Sequence, residues 1–182
     1  MSDKLARRLV VTGHSASNRS KVASDTTVTG AEMPGQPGVE CSVLWGADRK
    51  MQFPDNGAKP DYESFFPPLD GFRVIECYLP ARYAANADPS PQGEFAGEMD
   101  AVMPGLAGAM DAKRPGMHRT PTVDMVVVLE GRCILQLDDD EIPLNTGDVV
   151  IESGTIHAWA NPYDAPCRFL AAVVGANNEL CD

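Results

Sequence analysis

Long apolar runs are missing from this 182-residue chain. None approaches the ~18 consecutive apolar residues that a membrane-spanning helix requires. The N-terminal stretch MSDKLARRLVVTGHSAS also has no apolar segment of signal-peptide length. The expected location is therefore the cytoplasm, with no membrane partner. Positive charge is scarce, since 15 Lys and Arg stand against 26 Asp and Glu, a net charge of -11. Such a surface repels phosphate backbones, which argues against nucleic acid as a partner. Cysteine is present without pattern. Cys41, Cys77, Cys133, Cys167 and Cys181 are odd in number and form no C-x-x-C pair, so neither a disulfide framework nor a Cys-based zinc site is expected. Cys77 and Cys133 read as small packed thiols. G-x-x-x-x-G-K-[ST], G-x-G-x-x-G and G-x-S-x-G are all absent, leaving nucleotide-loop and serine-hydrolase readings without an anchor.

What remains is short strands. Apolar runs of strand length, separated by Gly, Pro, Asn and Asp, predict strands over 8–12, 39–45, 72–79, 124–130, 133–137, 141–144, 149–152, 157–160 and 168–174. That punctuation indicates an all-β sandwich or barrel. Glu130-Gly131 fits a hairpin corner, with the glycine supplying unusual backbone angles, and Asp138-Asp139-Asp140 fits a solvated turn. Residues 46–71 read as a loop held down by Phe65 and Phe66. Phe95, Met99, Val102, Leu106 and Met110 recur at helical spacing and predict short helical pieces broken near Pro104, in a Pro- and Met-rich segment that either forms a lid over a cavity or covers a sheet. The expected division is an N-terminal extension with outer strands over 1–85, the Pro/Met-rich segment over 86–117, a barrel core over 118–176 and a tail over 177–182.

Two stretches carry the chemistry. In HRTPTVDMVVVLEG, residues 118–131, His118, Thr120, Thr122 and Asp124 fall on one face of a strand by the period of two. In GDVVIESGTIHAWAN, residues 147–161, His157 and Trp159 share a strand face with Asn161 beyond them. At these residues the sequence resembles the cupins, specifically their small single-domain members. The first cupin motif runs His-any-His, three or four residues, Glu, six residues, Gly. Here His118 matches the first His, Thr120 stands at the second, Asp124 stands at the Glu, and Gly131 follows at the required spacing. The second motif is matched by Gly147-Asp148, Gly154, His157 and Asn161, with Glu152 in the usual Pro position and the strand one residue shorter.

The resemblance implies a jelly-roll β-barrel, a ligand cavity inside it and a homodimer formed through outer strands. Metal-binding cupins use three His and a Glu, and this sequence departs from them at two of those four places. His118, Asp124 and His157 would remain as a two-His, one-carboxylate set suited to Fe(II) or Zn(II), with Thr120 orienting a bound water. A metal-free reading uses the same residues for acid–base work, with both histidines titrating near neutrality and burial setting the ionisation of Asp124. Thr120 and Thr122 would then hydrogen-bond the substrate, and Trp159 would form a flat apolar wall. A third reading makes them a polar cluster that satisfies itself. The expected function is a small-molecule enzyme of the cupin type acting on a small oxygenated compound such as an organic acid, a phenolic or a polyketide-like molecule. Oxygenation, decarboxylation, dehydration and isomerisation are all open, and the alternative is a non-catalytic ligand-binding or sensing module. Arg132 and Arg168 would meet a substrate carboxylate only if they faced inward, and Cys133 shows no feature that would activate it.

Overall fold

The computed structural model describes residues 5–84 and 95–181. Eleven strands are found among them: β1 (Arg7–His14), β2 (Ser20–Val28), β3 (Ala31–Glu32), β4 (Glu40–Ala47), β5 (Phe72–Leu79), β6 (Thr122–Glu130), β7 (Arg132–Gln136), β8 (Glu141–Asn145), β9 (Val149–Ser153), β10 (Ala158–Ala160) and β11 (Cys167–Gly175). Two short helices, α1 (Ala96–Val102) and α2 (Leu106–Ala109), precede β6. The main sheet has the order β3-β4-β5-β11-β6-β9, a smaller one runs β10-β7-β8, and β1 and β2 form a separate hairpin. Every pairing is antiparallel, and the fold is the expected all-β jelly roll.

Alternation builds the interior. Along β11, Cys167, Phe169, Ala171 and Val173 are buried while their neighbours are less so. The inward set of β6 is Thr122, Asp124, Val126 and Val128. Across the layer, β7 contributes Cys133 and Leu135 and β8 contributes Leu144 to the same apolar core. Burying such a set is the main driving force available to a sheet pair. All five cysteines are free thiols. Cys41 faces Cys77 directly across β4 and β5, so part of the inner wall is sulfur packed on sulfur.

The hairpin of β1 and β2 is tied to the outer face of the main sheet through Glu76. Its carboxylate is buried and accepts from Arg7 Nη2 at 2.8 Å and from Arg7 Nε at 3.0 Å, with Arg168 Nε 3.2 Å away. Two guanidiniums on one carboxylate offset the cost of its burial. Arg168 therefore points outward, as does Arg132, whose guanidinium stacks over Tyr163.

Three sequence expectations need correction. Strands β2 and β3 escaped the apolar-run reading. Ser20–Val28 is polar and mostly exposed, and only its ladder to β1 makes it a strand. The strand expected from His118 begins at Thr122 instead. Pro121 has no N–H for a ladder, and His118 makes only isolated bridges, to Met110 and His157. In the helical segment, Val102 is exposed and Met103 is buried in the core with Met99 and Leu106; the break falls at Met103–Gly105, where Gly105 has φ of 82°. Residues 85–94 of the expected Pro/Met-rich segment, like 1–4 and 182, lie outside the described residues. Among the described residues no helix is long and apolar enough to cross a membrane.

Gly131 closes the hairpin between β6 and β7 with φ of 74°, and a Cβ there would collide with the carbonyl of Pro166. Gly131→Ala is expected to lower stability by about 1–3 kcal/mol in urea unfolding. An unchanged midpoint would contradict this account of the corner.

Candidate functional site

The antiparallel register sets the site. Asp124 on β6 pairs directly with Glu152 on β9, and both side chains point inward, 6% and 5% exposed. Direct cross-strand neighbours have Cβ atoms about 4.5–5.5 Å apart, so two carboxyl groups share one stretch of inner wall. Facing them are the two imidazoles. His118 N–H donates to the His157 carbonyl at 2.8 Å and His157 N–H to the His118 carbonyl at 3.0 Å, which holds the ring centroids 4.2 Å apart. Trp159, next along β10, meets His157 edge-on at 6.1 Å and stacks on Phe169 at 4.6 Å. Phe66, from the 48–71 loop, lies over His118 at 6.3 Å.

These groups border a cavity of about 100 Å³, the scale that holds one ring-sized molecule. Its remaining wall is largely apolar, with Met33, Phe65, Leu106, Met110 and Ile75 among the lining side chains, and its other polar members include Gln36 and Tyr83, whose hydroxyl donates to the Gln36 amide oxygen. Thr120 and Thr122 do not border it. Their hydroxyls sit 2.7 Å apart, and Thr122 also hydrogen-bonds Asp124. The arrangement suits a relay in which Thr120 donates to Thr122 and Thr122 donates to the carboxylate. Both hydroxyls are thus linked to Asp124, that of Thr122 directly and that of Thr120 through it. Asn161 is buried and ties backbone together, its side-chain amide donating to the carbonyls of Pro80 at 3.0 Å and Ala165 at 2.8 Å.

The electrostatics separate the four groups. Burial, then the charge of Asp124, pushes Glu152 up to about 8. Burial raises Asp124 to about 6, with the Thr122 hydroxyl pulling the other way. Burial, then the neighbouring His118, lowers His157 to about 3, and burial also lowers His118. His157 is therefore neutral at pH 7, and His118 is shifted in the same direction. Each directs Nδ1 at a carbonyl, His118 to Gly116 at 3.3 Å and His157 to Thr155 at 3.0 Å. A carbonyl only accepts, so Nδ1 carries the proton and Nε2 presents a lone pair. His157 Nε2 lies 3.3 Å from Glu152 Oε1. Asp124 Oδ1 and Glu152 Oε1 are buried with no hydrogen-bond partner in the protein.

Glu152 is the member that sequence reasoning missed. Its signal was the alternation of Val149–Ser153, in which Val150 and Glu152 share a face, but it was read only as a departure from a motif proline. Whether the expected ligands fit a metal can be tested directly. Among the described residues no three His, Cys, Asp or Glu side chains are placed to hold one ion. As these side chains lie, His118, Asp124 and His157 do not form a coordination set.

An antiparallel barrel with buried carboxyls and imidazoles on its inner wall is the class that fold and site define. Residues 108–173 match the family model described as Cupin domain, so this part of the chain is similar to the cupin-2 domains. The chain is 47% identical over 49 residues to oryzines biosynthesis cluster protein J of Aspergillus oryzae, covering 26% of this chain and 27% of that protein. It is also 47% identical over 53 residues to phomopsin biosynthesis cluster protein D of Diaporthe leptostromiformis, covering 26% and 28%. The chain thus spans about a quarter of the length of the curated relatives it matches. Among solved structures it is similar to the cupin domain of Schizosaccharomyces pombe Cnp3, with 10% identity and a TM-score of 0.48 over 95% of this chain and 89% of that one. Another is DMSP lyase DddQ of Ruegeria pomeroyi, with 17% identity and a TM-score of 0.45 over 81% and 56%.

The shifted groups predict a pH profile of stability. Glu152 keeps its proton in the fold up to about pH 8 but loses it near 4.5 when unfolded, so its contribution falls as pH rises between those values. The lowered His157 acts in the opposite sense, but only below its unfolded value of 6.5. The Asp124 window closes at about 6. Between pH 6.5 and 8 the Glu152 term stands alone among the cavity groups, and its contribution is expected to fall with a slope approaching ~1.4 kcal/mol per pH unit. Glu152→Gln should flatten that limb in denaturant melts. An unaltered slope would show that Glu152 is not held protonated.

Proposed function

We propose that this chain is a small-molecule enzyme that moves a proton within the barrel cavity, with Asp124 as base and Glu152 as acid. The observation behind this reading is the pair itself: adjacent carboxyls on one cavity wall whose environments separate their proton affinities. At pH 7 Asp124 is mostly ionised and Glu152 mostly protonated, which is the division of labour that acid–base catalysis needs. Asp124 takes a proton from substrate carbon or oxygen while Glu152 delivers one to a substrate oxygen. Return of a proton at a new position gives isomerisation, and cleavage of the C–O bond with loss of water gives dehydration. Asp124 then holds the proton that Glu152 lacks, and transfer between the neighbouring carboxyls, directly or through His157 Nε2, restores the starting state. His118 and Trp159 form the rest of the polar and aromatic wall. No step is routed through a metal, because the side chains do not converge on one.

The names of the curated relatives, which place them in biosynthesis clusters, support a role in making or altering a small molecule. The net charge of -11 supports a small-molecule partner over nucleic acid. A second copy of the chain is supported by the edge strand β9, whose outward Val149 and Ile151 are 58% and 60% exposed beside Met125 and Val123 of β6, an apolar patch of the kind that marks interfaces.

The acid–base reading is tested by incubating the protein with a panel of small oxygenated compounds in deuterated water and following exchange or loss of water by NMR. For a turned-over compound, kcat/KM should show limbs near pH 6 and pH 8. Asp124→Asn and Glu152→Gln should each reduce turnover about 10²–10⁴-fold. Equal rates in both variants would sink the mechanism; binding without turnover in the wild type returns the non-catalytic module. Sedimentation of Ile151→Lys should give the monomer mass where the wild type gives twice that value, and identical masses would rule out this face as the interface.

A further inference from the structure

Resting on the reading of this cavity as a ligand site, we infer that its ligand is an uncharged, ring-sized molecule that donates hydrogen bonds, and that the cavity excludes carboxylates. At the end formed by Asp124, Glu152, His118 and His157 acceptors outnumber donors, the protonated carboxyl of Glu152 being the one donor among these four groups. Asp124 Oδ1 and Glu152 Oε1 are buried and unpartnered. His118 and His157 have committed their Nδ1 protons to the carbonyls of Gly116 and Thr155, which leaves only lone pairs on Nε2. A hydroxyl that enters this end meets buried oxygen and nitrogen acceptors that lack donors, and filling them recovers the cost of leaving buried polar atoms unsatisfied.

Among the described residues no cation borders the cavity; Arg119, beside His118, is not among its lining residues and donates through Nη1 to the Leu180 carbonyl, and three other arginines are engaged elsewhere. Arg73 is fully buried but donates to the carbonyls of Ala47, Phe72 and Ser64 and pairs with Asp48. Arg168 pairs with Glu76 and Glu130 outside the sheet, and Arg132 covers Tyr163. A carboxylate would lose its water without gaining a positive partner, and it would face the charge of Asp124. The opposite wall of Phe66, Met110, Trp159 and Phe169 offers flat and adaptable apolar surface to a ring. Of the acid–base reactions open at the outset, decarboxylation requires an acid substrate that this wall rejects, which leaves isomerisation and dehydration of a neutral, hydroxylated compound.

Three probes of similar size separate the terms: phenol, which is uncharged and donates; anisole, which has the ring without the donor; and benzoate, the anion. Binding at pH 7.5 is read from the fluorescence of Trp159, with Trp159→Phe identifying the signal of the other tryptophan, Trp45, and from the thermal shift. Phenol is expected to bind at least tenfold more tightly than benzoate and at least threefold more tightly than anisole. In Asp124→Asn, which removes the charge and adds a donor, the phenol-to-benzoate ratio should fall at least threefold. Benzoate binding as tightly as phenol would overturn the excluded class while leaving the cavity a ligand site. Anisole matching phenol would overturn the donor requirement. If no probe perturbs Trp159 or the melting temperature, the inference falls together with the reading on which it rests. The wild-type comparison decides the matter even if the variant fails to fold.

Discussion

The pairing of β6 with β9 places Asp124 opposite Glu152, and most of what is distinctive about this barrel follows from that register. Strand side chains alternate faces, so a slip of one residue would turn both carboxyls to solvent and bring Val123, Met125 and Ile151 inside. The apolar residues two and four positions further along β6, Val126 and Val128, resist that slip because they belong to the core. Hydrophobic burial thus holds in place two groups whose own burial is unfavourable. The sheet tolerates the pair because one carboxyl keeps its proton, which removes the repulsion that two ionised neighbours would feel.

The histidines answer to the same constraint. Reciprocal backbone hydrogen bonds bring His118 beside His157; burial lowers the proton affinity of both rings, and His118 lowers that of His157 further. Local carbonyls then select which nitrogen carries the proton. Four titratable groups around one cavity carry little net charge among them, because one carboxyl keeps its proton and His157 is neutral. A metal centre needs ligands that converge. Here the imidazoles are turned by their own loops and the carboxyls by the sheet, and no three of the described candidates meet.

Support for the wall comes from outside the motif-bearing strands. Phe65 and Phe66 reach the cavity from an irregular loop, and Leu106 and Met110 reach it from the short helical segment. The salt link of Arg7 and Arg168 to Glu76 fastens the N-terminal hairpin to the outer face of the main sheet. The first half of the chain therefore builds part of the enclosure for chemistry encoded in the second half.

Sequence alone determined the architecture and half of the site. The strand at 72–79 was legible to the residue, because a run of apolar residues between turn formers has few other ways to be buried. Gly131 was legible as a corner because only a glycine tolerates its backbone angle without cost. His118, Asp124, His157 and Trp159 were legible through spacing. β2 was not, because a polar strand is defined by its partner rather than by its own pattern. Glu152 was visible as a letter but not as a carboxyl facing Asp124, since cross-strand register is a relation between distant segments. The bonds of Thr120 and Thr122 to each other and to Asp124 were not legible, because only packing brings those groups together. The lowered proton affinity of the histidines was likewise decided by the tertiary structure, for a proton affinity depends on what surrounds the group once it is folded.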